Sequence, residues 1–196
     1  MNEAINKIIN DIINLEKELE TLVNAHQKEL FYTIKGAKIE FEKKILAQQK
    51  ALRISLVQWL KASRIQSILS IPFIYGMVIP LSFMHVTIEI FQAICFPLYG
   101  IPKVKRSDYF IADRHQLPYL NIIEKFNCAY CGYGNAVIAY TREIIGRTEL
   151  YWCPIKHAKK AIGTHKYYRH FLDFGEYDDF HQKTTELRST LSEVDK

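Results

Sequence analysis

From Ile65 to Ile101 the chain carries one formally charged residue, Glu89, in 37 positions. A helix crossing a bilayer needs roughly 20 apolar residues. The run is therefore long enough for one crossing with material left over, and tight for two. Pro72 and Pro80 are expected to kink it, and Pro97, Gly100 and Pro102 to end it. Bases flank it on both sides, Lys61 and Arg64 before, Lys103, Lys105 and Arg106 after. Positive flanks favour the cytoplasmic side, so a helical hairpin bent near Pro80 is expected, with a single tilted span as its close competitor. A buried hairpin of a soluble protein is the blander alternative. His85 and Glu89 share a helix face within the run and are expected to hydrogen-bond each other, or less readily to bind a metal or headgroup. Cys95 reads as a small buried hydrophobe.

Upstream, Ile5, Ile8, Ile12, Leu15, Leu19, Leu22 and His26 alternate at spacings of three and four. This heptad seam predicts a coiled-coil-like helix that pairs with a second copy, with another helical protein, or with its own domain. No proline precedes Pro72, so helix is expected to persist with a weak point at Gly36. Apolar positions continue at Phe31, Ile34, Phe41, Ile45, Leu52, Leu56, Trp59 and Leu60, as in a basic amphipathic helix suited to lipid headgroups. Charge divides along this region. Residues 1–34 hold six acids against three lysines, and residues 35–64 hold eight bases against Glu40 and Glu42. A basic block beside an apolar run points first to a membrane surface, and more weakly to nucleic acid. The first 25 residues contain no apolar block of the signal-peptide kind, so a reducing cytoplasm is expected for the thiols.

The four cysteines include Cys128, Cys131 and Cys153, with His157 four residues beyond the last. A Cys-x2-Cys pair followed by Gly132 and Gly134 is expected to form a tight turn. Cys153 and His157, one helical turn apart, would face the same point, with Pro154 opening that turn. Cys128, Cys131, Cys153 and His157 thus form the candidate metal set. Three thiolates and an imidazole suit structural zinc, and iron is the alternative.

The strings CAYCGYGN and YWCPIKHA, preceded by CFPLYGIPKVKRSDYF and DRHQLPYLN, together resemble an uncharacterised family of bacterial membrane-associated proteins. The resemblance covers about Pro72 to Lys159 and implies a membrane location without an activity. Cys128 to Tyr133 is also similar to one knuckle of rubredoxin, but a second Cys-x2-Cys is replaced here by Cys153-x3-His157.

Asp113, Arg114 and His115 are expected to pack under the metal knuckle or to orient a ligand. A catalytic role for His115 lacks a nucleophile motif. Residues 135–150 predict a helix joining the two halves of the metal set. From Lys156 to His170, five bases interleave with Tyr167 and Tyr168, a pattern able to touch nucleic acid bases or anionic lipid. His165, His170 and His181 lack ligand spacing.

The expected fold is mainly α: a coiled-coil-like arm (1–64), an apolar membrane segment (65–101), a small α-rich metal module (102–182) and a frayed or disordered tail (183–196). The expected function is scaffolding or interaction by a protein anchored in the inner membrane, its soluble parts cytoplasmic and its zinc structural. The alternative is a membrane-associated iron protein that transfers electrons.

Overall fold

The computed structural model describes residues 3–28, 32–35 and 38–193, with side chains for 7–26, 32, 34 and 38–191. The side chain of Ile5, and Phe31 and Gly36 entirely, lie outside them. The described chain is mainly helical: α1 (Glu3–Lys28), β1 (Tyr32–Lys35), β2 (Lys38–Phe41), α2 (Lys43–Ala51), α3 (Leu56–Ala62), α4 (Ile65–Leu69), α5 (Ile71–Gly76), α6 (Val78–Tyr99), α7 (Ile122–Trp152) and α8 (Phe180–Ser189). It divides into two compact units, Met1–Ala62 with Asp113–Lys125, and Ser63–Ala112 with Phe126–Lys196.

In the first unit, α1 is a helix as its heptads predict, and the seam residues Ile8, Ile12, Leu15, Leu19 and Leu22 remain 44% to 63% exposed. The helix expected from Phe31 to Leu60 is not continuous, and within that span helix is confined to α2 and α3. β1 and β2 pair antiparallel instead, with Tyr32 opposite Phe41 and Ile34 opposite Ile39. Aromatic and β-branched residues alternate on both sides of Gly36 and Ala37, a strand pattern that outweighs helical spacing. Trp59 falls instead on the short α3, which starts afresh at Ser55. The Ser55 hydroxyl accepts from Gln58 N–H (3.3 Å), and Gln58 Oε1 accepts in return from Ser55 N–H (3.3 Å). The Asp113–Arg114–His115 triplet belongs to this unit. Gln116 beside it accepts from Ile39 N–H of the hairpin at 2.8 Å.

In the second unit, residues 65–99 form one nearly continuous helical stretch, apolar and long enough to cross a membrane. No hairpin forms at Pro80. Pro72 and Pro80 each sit in the first turn of a new helical segment, where a missing N–H costs little, and Ser70 and Met77 between segments keep helical dihedrals. Gly100, with a left-handed φ of 67°, ends α6. Its N–H reaches Pro97 O (3.4 Å), Ile101 N–H reaches Phe96 O (2.9 Å), and the Ile101 and Phe96 side chains are both buried.

Contacts from α5 and α6 to α7 advance along both stretches in the same direction. Tyr75 meets Tyr130 (5.4 Å between rings), His85 meets Tyr133 (5.8 Å), Gln92 donates to Tyr140 (2.7 Å), and Tyr99 meets Trp152 (5.0 Å). The two helices therefore run parallel. Residues 101–112 carry the chain back between them as a strap with one 3-10 turn at Arg106–Asp108. Val104 N–H binds Gln92 Oε1 (2.6 Å), and Phe110 stacks on His85 (4.7 Å). The core of this unit comprises Phe96, Ile101, Tyr140, Ile144, Leu150, Tyr167, Phe171 and Leu191 among others. Leu191 is buried at the end of the region expected to fray, so through residue 193 the tail is a docked helix.

α6 buries a mixed face, Ile88 and Phe96 with polar residues among them, and leaves much of its apolar surface outside. His85 and Gln92 are buried, and Ser82 accepts a bond from the Tyr133 hydroxyl at 3.3 Å. On the other side Ile79, Phe83, Val86, Ile90, Ile94 and Leu98 are 54% to 74% exposed. Cys95 is only half-buried.

Candidate functional site

The expected metal set is not brought together. Cys128 and Cys131 lie on α7 itself, which runs unbroken through the Cys-x2-Cys-Gly string. The physical reason is a stripe at helical spacing, Tyr130, Tyr133, Val137, Tyr140, Ile144, Arg147 and Tyr151, every member of it at least half-buried. Asn121 caps its start by accepting from Ile123 and Glu124 N–H (3.0 Å each), while Glu124 Oε2 accepts from Asn121 N–H (2.8 Å). Cys153 follows Cys131 by 22 residues at the far end of that helix. At a rise of about 1.5 Å per residue, the two sulfurs stand about 33 Å apart along the axis, far beyond one coordination sphere. Cys153 and His157 do not share a helical turn either. The chain is extended there, with Lys156 N–H bonding Leu172 O (2.8 Å) and Leu172 N–H bonding Pro154 O (2.9 Å). Among the described residues no group of three or more His, Cys, Asp or Glu is placed to hold a metal ion.

His157 does join a site, though not the expected one. A cleft of about 250 Å3 opens beside the C-terminal half of α7, lined by Arg142, Glu149, His157, Thr164, His165 and Tyr168 among others. Arg142 donates to the carbonyl of Thr164, and His157 N–H donates to the Tyr168 hydroxyl at 2.6 Å. The Nε2 of His165 lies 2.7 Å from Glu149 Oε2, and its Nδ1 is buried without a hydrogen-bond partner. The ring lies against the helix at Gly146, where a Cβ would come within 2.9 Å of the His165 Cγ. With one nitrogen on Glu149 and the other buried, His165 offers no free nitrogen to a ligand in this arrangement. It wedges the loop against α7.

Below it is the second cluster that binds this loop to the helix. Glu143 Oε1 accepts from Arg147 Nε (3.0 Å), from Lys166 Nζ (3.1 Å) and from the Tyr167 hydroxyl. Arg147 also donates to Pro102 O of the strap at 2.8 Å. Burial raises the Glu143 pKa, but the Tyr167 and Lys166 bonds, with Arg147, more than offset that and hold it below the ordinary carboxylate value. Burial, reinforced by the Glu143 carboxylate, raises that of Tyr167.

No protein-family model matches the chain, and no curated protein or solved structure is similar to it.

Part of the basic aromatic tract of residues 156–170 is engaged in packing, while Lys159 and Lys160 are exposed. Tyr167 is buried, Lys156 pairs with Asp173 (2.8 Å), and Lys166 pairs with Glu143. Sequence reasoning missed the Glu143, Lys166 and Tyr167 cluster and the Glu149–His165 pair. Glu143 and Arg147 at i and i+4 were a readable signal, whereas Glu149 and His165 meet only through the fold. In the first unit Tyr32, Phe41, Gln49, Asp113, Arg114 and Tyr119 line a separate cavity of about 340 Å3.

Proposed function

We propose that this chain is a membrane-attached interaction protein, fastened by the apolar surface of residues 65–99 and presenting α1 to a partner. The observation that carries this reading is the apolar outer face of α6, where Phe83, Ile90, Ile94 and Leu98 are exposed while polar His85 and Gln92 are buried beside Ile88 and Phe96. A helix in water buries its apolar stripe; polar groups in a membrane helix turn toward protein instead. The strap bears on how the attachment is made. Lys103, Lys105 and Arg106 are exposed beside the inner face of α6. An irregular chain that carries charge is unsuited to hydrocarbon depth, so along α6 the lipid touches one side only. The bases then stand at headgroup level, where each adds about 1 kcal/mol of attraction to anionic lipid.

Carbonate-washed membranes should retain the full chain, and Phe83→Asp with Ile90→Asp should release it. Recovery of monodisperse wild-type protein without detergent would overturn the attachment.

A further inference from the structure

The exposed seam of α1 carries charge information beyond its apolar spacing. In the heptad set by Ile8, Ile12, Leu15, Leu19 and Leu22, the positions beside the seam are Ile9, Asp11, Glu16, Glu18, Val23 and Ala25. Every charged residue among them is an acid. Lys7 and Lys17 fall on the outer positions, away from any partner. Residues flanking a seam set partner choice and orientation. In a parallel pair of identical helices, Asp11 of one would face Glu16 of the other, twice over, and an antiparallel pair would again set acids against acids. Like charges in such positions oppose pairing.

We propose that α1 docks a partner helix that has its own apolar seam and Lys or Arg beside it, and that it does not pair with a second copy of this chain. The observation is the exposed, acid-flanked seam; the chemistry recognised is a basic amphipathic helix. Anionic lipid is the poorer occupant, because residues 3–28 hold five acids against three lysines. This deepens the interaction reading above and rests on it, but not on the attachment.

The test uses the full chain in neutral detergent and two labelled three-heptad peptides with Ile and Leu in the seam. One has Lys at every flanking position and the other Glu. The Lys peptide should bind about tenfold more tightly, the amount that three exposed ion pairs supply, and less so at high salt. Asp11→Lys with Glu16→Lys and Glu18→Lys keeps the seam and the helix, and should reverse the preference. Sedimentation should give the mass of one chain. Equal binding of the two peptides, or a dimer that Leu15→Asp dissolves, would overturn the proposal. So would protection of α1 amides by anionic lipid alone. Because the peptides are read in detergent, release by carbonate would remove the attachment and leave this result standing. Failure of the peptides would leave the attachment untouched.

Discussion

Glu143 shows how much one side chain holds here. A single oxygen gathers Arg147, Lys166 and Tyr167, and Arg147 extends the link to the strap at Pro102. Replacing Glu143 by Gln takes from Arg147 the carboxylate it meets at 3.0 Å, and removing one partner of a buried pair costs about 3–5 kcal/mol. The pH dependence follows from the depressed carboxylate. Its folded value lies below the unfolded one, so the stabilisation is full above the ordinary carboxylate range and is lost as pH falls through the folded value. Acid titration of the denaturation midpoint in detergent should show this loss in the wild type and a shallower one in Glu143→Gln. Parallel curves would remove Glu143 from the account. The same scale explains why the cleft was illegible in the sequence. Gly146 gives no hint of His165 until the fold lays the imidazole across it.

At the scale of elements, the heptads of α1 and the apolar run 65–101, with its single charge at Glu89, were readable because each pattern is long and self-consistent. The Cys-x2-Cys string misled because two glycines and two thiols suggest a turn, while the stripe from Tyr130 to Tyr151 that decides the matter spans six helical turns. Pro80 misled in a similar way, since a proline kinks a helix interior but is tolerated in a first turn. The helical placement of the thiols can be measured. With Cys95 and Cys128 replaced by Ser, spin labels on the exposed Cys131 and Cys153 should report a separation of about 33 Å. Chelators should leave it unchanged. A short distance that lengthens on chelation would restore a shared metal ion.

Across the whole molecule, stability is unevenly distributed. α1 buries none of its described side chains, whereas Val137, Tyr140, Ile144 and Leu150 of α7 are almost wholly enclosed. Helices of this length gain most of their stability from packing. Hydrogen exchange of the free protein should therefore run fast through residues 7–26 and slowly through 137–150. Equal protection would mean that α1 is already covered. The parallel course of α6 and α7 has an electrostatic consequence. Their C-terminal ends lie side by side, Tyr99 against Tyr151 and Trp152. Each helix end bears about half a negative elementary charge from its aligned peptide dipoles, and two such ends side by side repel. Arg188 of α8 meets this negative pole, donating to Tyr151 O at 2.6 Å with its guanidinium 5.4 Å from the Tyr151 ring. The C-terminal helix is thereby a counter-charge to the helix pair, drawn to it by a field that the parallel arrangement creates.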